Sequence, residues 1–309
     1  MSESNPQPRR FADTLISIAR EFGHDCHSIG GGWVLRFTDG RRARHSWGFN
    51  LEINSSASHL LACDKAAASQ VLRSCGLPCV EHHCVLHPRM GPYAPASGSF
   101  AAALDLFRSL HRDCVIKDNN GTAGMGVYRV QSERALEAAM IRLFNRVHAV
   151  SIAPFVDIRS EKRFVFLDDQ CLLAFEKIRP CVTGDGVRSF AQLVQASGSE
   201  FDPETAADAE EVVPAGAKRV LSWRHNLSKG AAARELNHAE EPATQLAARA
   251  MQALNLRFAS IDVIETDSGI SILEANSGVM LESVRAYIAD GDRRAVSIYR
   301  AAYQAMWAM

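Results

Sequence analysis

The sequence predicts an α+β fold on three observations. Short apolar runs pair across turn residues as hairpins, and stretches with apolar residues at helical spacing lie between them. The two kinds of segment do not alternate in the one-strand, one-helix order that a parallel sheet requires. No internal repeat runs through the chain.

Taken in order, Phe11, Leu15, Ile18, Ala19 and Phe22 recur at helical spacing and mark the first helix. Gly30, Gly31 and Gly32 then open a short strand over 33–37, closed by a turn at Asp39-Gly40. Residues 1–60 therefore form a short N-terminal module. From Asp64 the positions Ala67, Ala68, Val71 and Leu72 predict a helix stopped at Gly76, and Pro78 begins an extended stretch to Leu86. Residues 61–97 are thus a helix-strand connector.

Within that connector, Cys79, His82, His83, Cys84 and His87 have the side chains of a zinc site. No Cys-x-x-Cys pair is present, however, and neighbouring strand residues face opposite ways, so a partly exposed strand is expected instead. The Pro-, Gly- and Ser-rich loop at 88–99 is a candidate boundary. Residues 98–152 follow as a subdomain with a helix near 104–110, a strand at 114–117, a glycine-rich loop and helical spacing over 133–147. The stretch from Val150 to Phe155 reads as a connector. In the last portion, 153–309, strands at 163–167 and 172–175 form a hairpin through Asp168-Asp169. Six acidic side chains between 196 and 218, with Pro203 at a helix start, predict a solvated excursion, and 243–254 an Ala-rich amphipathic helix.

The strongest chemical signal is Asp262, Glu274 and Asn276, set inside two strands, 258–265 and 270–276, that are otherwise suited to burial on both faces. Thr266-Asp267-Ser268-Gly269 between them is a hairpin turn. With the turn centred near Ser268, Asp262 lies opposite Glu274, and Asn276 leaves the same face about 7 Å further along the strand. An unpaired carboxylate there would be costly, so three converging oxygens predict a hard cation, most simply Mg²⁺. The alternative is a pair of carboxylates held by buried Arg or Lys.

A second signal follows Lys117, where Gly121, Gly124 and Gly126 fall within six residues between two strands. Such a loop lets backbone N–H groups approach an anion, and its mobility suits a lid. Alone it matches neither the P-loop spacing nor the dinucleotide fingerprint and equally describes a flexible hairpin. Lys117 at the end of a strand and Lys65 at the start of a helix add two cations for a polyphosphate.

Bulk composition narrows the partners. The 309 residues are 47 % hydrophobic with a formal charge of −1, and 34 basic against 35 acidic side chains leave no basic stripe for nucleic acid. A small-molecule or peptide substrate is expected. No apolar run approaches the roughly 20 residues of a membrane span, and the polar opening lacks a secretion signal, so no membrane partner and a cytoplasmic location are expected. Eight dispersed cysteines are then reduced thiols.

The order of parts, Asp64-Lys65, Val115-Ile116-Lys117 before the glycine-rich loop, Glu161-x-Arg163, Asp262 and Glu274-x-Asn276, resembles the ATP-grasp ligases. The runs 184–193 and 224–230 are similar to the branch containing cyanophycin synthetase and the ATP-grasp enzymes of glutathione synthesis, with ribosomal-protein glutamate ligases more distant. The resemblance covers residue 59 to about 282 and departs from the near relatives at Asp118, Ala231 and Ser277-Gly278. It implies an ATP-grasp fold that holds the nucleotide between two α+β subdomains, with 98–152 as the lid and 153–309 carrying the metal and acceptor sites. Lys65 and Lys117 would contact ATP phosphates under the loop Gly121, Gly124 and Gly126. Backbone from Ile152 to Phe155 would receive adenine, Glu161 the ribose hydroxyls, and Asp262, Glu274 and Asn276 a pair of Mg²⁺ ions, with Mn²⁺ as a substitute.

The implied reaction is an ADP-forming carboxylate-amine ligation. ATP phosphorylates a carboxylate, and an amine attacks the acyl phosphate to join an amino acid or short peptide to that amine. Arg224, with Asn226 as second donor, is the candidate for stabilising the developing charge. Enzymes of similar build imply a homodimer. Two other classes stay open: a kinase on the same scaffold, and a nucleotide-binding regulatory protein. Each residue also has a plain reading, with Lys65 a helix-surface lysine, Glu161 a partner of Lys162 or Arg163, and Arg224 a surface arginine beside Trp223.

Overall fold

The computed structural model describes residues 10–93, 98–122, 124–198, 208–227, 231–236 and 241–309; the helix start expected at Pro203 lies outside them. At the N-terminus, α1 (Arg10–Glu21) buries Phe11, Ala12, Leu15, Ile18 and Ala19, the stripe its spacing predicts. Four antiparallel strands follow, β1 (Asp25–Ile29), β2 (Val34–Thr38), β3 (Ala43–Trp47) and β4 (Asn50–Leu51), and form a sheet in that order. Next come α2 (Ser56–Cys63) and α3 (Lys65–Ser74). Asp64 caps α3 by accepting the Ala67 N–H at 2.9 Å, which places Lys65 at its first turn, and the chain leaves past Gly76 at φ +69°.

A second sheet has the order β5 (His83–Leu86), β8 (Ala149–Pro154), β6 (Cys114–Asp118), β7 (Tyr128–Val130). Two helices, α4 (Phe100–Ser109) and α5 (Glu133–Phe144), close its core through Phe107, Leu136, Met140 and Leu143. The stretch expected as a connector is thus β8, hydrogen-bonded on both sides. Its run of buried apolar residues lacks alternation because both of its faces are covered. One strand of this sheet, β5, comes from the segment assigned to the connector.

The third sheet has the order β13 (Ala232–Glu235), β10 (Gln170–Ile178), β9 (Ser160–Leu167), β14 (Phe258–Thr266), β15 (Gly269–Asn276), with every neighbour antiparallel. On one face Phe164, Phe166, Ile261 and Val263 pack with Leu246, Ala250 and Leu254 of and beyond α7 (Glu241–Ala253), and with Ala68 and Leu72 of α3. On the other, Val165, Phe175 and Phe258 join α1, the N-terminal sheet, α8 (Glu282–Tyr287) and α9 (Gly291–Trp307). The N-terminal module thereby shares its core with the C-terminal helix. A small lobe of β11 (Cys181–Thr183), α6 (Phe190–Ser197) and β12 (Lys218–Val220) stands apart with its own apolar cluster. Sheets built wholly of antiparallel pairs, with helices laid on their faces, make this an α+β fold.

One buried hydroxyl fixes the turn that follows β15. Tyr299 of α9 accepts the Leu281 N–H at 3.0 Å and donates to the Val279 carbonyl at 3.1 Å. Tyr299→Phe leaves both backbone groups buried and unmet, so chemical denaturation is expected to show a loss of about 1–3 kcal/mol.

Candidate nucleotide and metal site

Strand register builds the site. Across the third sheet Asp262 stands opposite both Arg163 and Glu274, Glu161 stands opposite Lys177, and Ser260 opposite Asn276. Side chains of facing residues share a face, so one end of the face that carries Val165, Phe175 and Phe258 is charged rather than apolar. Arg163 donates to Asp262 through Nε at 2.7 Å and a terminal nitrogen at 2.6 Å, and Lys177 Nζ donates to the same carboxylate at 2.8 Å. Lys177 also donates to Glu161, which is its partner in place of the expected Lys162 or Arg163. Asp262 has no exposure and Lys177 and Glu161 are buried, so these pairs replace hydration rather than decorate a surface.

Glu274 is held differently. Asn276 Nδ2 donates to it at a long 3.3 Å, and Lys117 Nζ lies 3.9 Å away, reaching over from the second sheet. Burial works to raise its pKa, but the joint field of Lys117, Lys65, Lys177 and Arg163 prevails and brings it to about 2. Burial drives the Glu161 carboxyl upward despite Lys177, and the Lys117 ammonium downward despite Glu274.

These groups fit a divalent cation. Glu274 is ionised at neutral pH, its amide partner is at hydrogen-bonding limit, and Arg163 and Lys177 do not use all of the roughly four lone-pair positions on Asp262. The ion-paired alternative is realised at Asp262 alongside this vacancy of lone pairs. Among the described residues no cluster of three or more His, Cys, Asp or Glu is set for a metal, and the trio itself contains only two carboxylates with one amide. Four cations, Lys65, Lys117, Lys177 and Arg163, face three carboxylates, Glu161, Asp262 and Glu274, so the site has an excess positive charge suited to a polyanion.

The glycine-rich loop closes on this charge. Lys65 Nζ donates to the Gly121 carbonyl at 2.5 Å, tying the start of α3 to the loop. Gly124 and Gly126 take φ of +65° and +62°, conformations that strain other residues. A Cβ on Gly124 would come within 2.3 Å of Asn226 Nδ2, so the loop lies directly against Asn226.

Residues 223–226 run across the width of the site. Trp223 packs edge-on against Phe155 at 5.5 Å between centroids, and His225 Nδ1 lies 3.5 Å from a Glu161 oxygen. Arg224 sits over the Trp223 ring at 5.0 Å, the arrangement of its plain reading. Burial, aided by Arg179 and Lys177, lowers the His225 pKa to about 4 and keeps the ring neutral beside Glu161. The Phe155 ring is held on its other side by Arg129, whose guanidinium is 3.4 Å from the centroid and pairs with Asp113.

Ile152 is fully buried and stands between His83 and Ile116 in the middle of its sheet, where the ladder takes its backbone. Phe155, just past β8, stays at the strand end, though its N–H already donates to the Asp113 carbonyl at 3.0 Å. Glu282 accepts the Phe11 N–H at 3.2 Å in the first turn of α1. Sequence reasoning missed Lys177 and His82. The first is one cation in an apolar strand whose partners are set by register. The second is 3 % exposed with Nδ1 2.7 Å from Ser151 Oγ, inside what was expected to be a partly exposed strand.

Comparison with known proteins identifies the fold. Residues 208–295 match the family model of a RimK-like ATP-grasp domain. Among solved structures the chain is similar to a bifunctional glutathione synthetase from Pasteurella multocida, at 18 % identity and TM-score 0.51, over 87 % of this chain and 40 % of that one. It is also similar to a D-alanine–D-alanine ligase from Bacillus anthracis, at 14 % identity and TM-score 0.54, over 82 % and 68 % of the two chains. No curated protein matches it. The chain carries the ATP-grasp fold and spans less than half the length of the glutathione synthetase. Among the described residues no helix is long and apolar enough to cross a membrane.

Replacing Lys177 tests the buried network. Lys177→Met strands Glu161 and Asp262 with less positive charge, and urea unfolding is expected to show a loss of about 3–5 kcal/mol.

Proposed function

We propose that the protein is an ATP-dependent, ADP-forming carboxylate-amine ligase acting on amino acids or short peptides. The observation that carries this reading is the placement of Glu274 and Asn276 beneath Lys117, beside Lys65 and the loop of Gly121, Gly124 and Gly126. Hard oxygen donors on one side and cations with a glycine loop on the other make a slot for a metal-bound polyphosphate. The parent fold and the matched RimK-like domain support the same reaction class.

In this reading Lys65 and Lys117 neutralise phosphate oxygens, and the loop from Gly121 to Gly126 covers them and excludes water. Glu274, Asn276 and Asp262 would hold Mg²⁺, a pair of ions in the two-carboxylate arrangement, with Mn²⁺ able to substitute. Bound there, Mg²⁺ supplies charge neutralisation for phosphoryl transfer. Arg224 and Asn226 aim donors at the acyl phosphate and the oxyanion that forms when the amine attacks, and Asn226 is positioned by its packing on Gly124. Glu161, oriented by Lys177 and close to His225, is the candidate for the ribose hydroxyls. Phosphate leaves as the amide bond forms.

Phosphate release from ATP and Mg²⁺ across pools of amino acids and amines, with mass spectrometry of products, tests this function. The expected result is amine-dependent release with an amide product, abolished by Glu274→Gln in a protein of unchanged fold. A stable phosphorylated product formed without amine, or full turnover in that variant, contradicts it.

A further inference from the structure

The outer face of the N-terminal sheet is sorted into rows. Register sets Ile29, Val34, Trp47 and Asn50 side by side across β1, β2, β3 and β4. The next row outward along the strands is His27, Arg36 and His45, followed by Asp25, Thr38 and Ala43. The opposite face supplies Leu35, Phe37 and Leu51 to the core, so the fold has no need of apolar residues on the outer one. Only the first row is apolar, and it stands in water: Trp47 is 64 % and Ile29 51 % exposed. Beside it the Trp33 ring covers Gly48, where a Cβ would meet it at 3.4 Å.

This row ends at the candidate site. A Cβ on Gly278 would lie 3.3 Å from the Asn50 side chain, so Asn50 rests on the backbone two residues past Asn276. The Asn50 amide oxygen is buried without a hydrogen-bond partner. Ser277, between them, is buried, and its hydroxyl lies 2.7 Å from His59 Nδ1. Along β15 the order is therefore fixed. Leu273 clusters with Ala153 and Val156 at the end of β8, Glu274 meets Lys117, Asn276 follows, and then come Ser277 with His59 and Gly278 with Asn50. A nucleotide lying from the β8 end to Glu274 and Asn276 has its terminal phosphate pointing toward Ser277, His59 and Asn50.

The geometry points to a substrate track made of His59, Ser277 and Asn50 at its polar end and Trp47, Val34 and Ile29 along its length. It rests on the ligase reading for which end is reactive and adds the class of substrate: an amino acid or short peptide with large apolar side chains. Three strand spacings make the track about 15 Å long, enough for two or three residues with their side chains. The occupant follows from continuity with the phosphate end, since an apolar row elsewhere on the sheet would touch no reactive group. The polar end accommodates a peptide backbone or an amine, and the row removes the adjoining side chains from water.

Calorimetric titration of the dipeptides Leu-Phe and Gly-Ser into the protein with saturating MgADP tests the track. Both probes carry the same backbone charges. Leu-Phe is expected to bind at least about tenfold more tightly, and Trp47→Ser to remove most of that preference. Affinity of the variant for MgADP stays within about twofold of the parent, which shows an intact nucleotide site. Ile29→Ser, further from the reactive end, gives a smaller loss. Equal or absent binding of the two dipeptides, or a preference untouched by Trp47→Ser, overturns the track. The two readings fail separately. Leu-Phe bound through Trp47 with no amide from any pool defeats the ligase alone, while amide formation that ignores apolar side chains defeats the track alone.

Discussion

Lys177 donating at once to Glu161 and Asp262, with Arg163 on the far side of Asp262, is the constraint around which the site is organised. Carboxylates in the middle of a five-stranded sheet are tolerated only when partners of matching geometry face them, and here those partners come from neighbouring strands in fixed register. Such a network is a costly way to stabilise a sheet. Apolar residues of similar size would serve stability as well, so its presence at the charged end of an otherwise apolar face marks a surface kept for chemistry.

The network also explains how neighbouring carboxylates divide their roles. Asp262 is held by a bidentate arginine and a lysine, while Glu274, one strand over, has only a long amide hydrogen bond and a lysine at 3.9 Å. Glu274 is therefore the more available oxygen donor, and its ionisation is maintained by the field of four cations rather than by one close pair. Lys117 serves two elements together, since it belongs to the second sheet yet faces Glu274 on the large one.

Much of this was legible in the sequence. The hairpin that sets Asp262 opposite Glu274 follows from strand alternation and a turn at 266–269, and the cap at Asp64 that presents Lys65 follows from residue type. The second-sheet strand β8 was not legible, because a central strand buried on both faces shows no period of two. Also hidden were α9, whose apolar face makes sense only against a module some 280 residues earlier, and the partners of Lys177, which register alone brings together.

The central claim is that Asp262, Glu274 and Asn276 hold divalent cations against a bound nucleotide. Its most direct test is electron paramagnetic resonance of Mn²⁺ titrated into the protein with saturating ADP. The account predicts protein-dependent uptake of a pair of ions per chain, beyond what ADP alone binds, and loss of that uptake when Glu274 and Asn276 are replaced together by alanine. Uptake no greater than that of ADP alone, or uptake indifferent to those replacements, would contradict it.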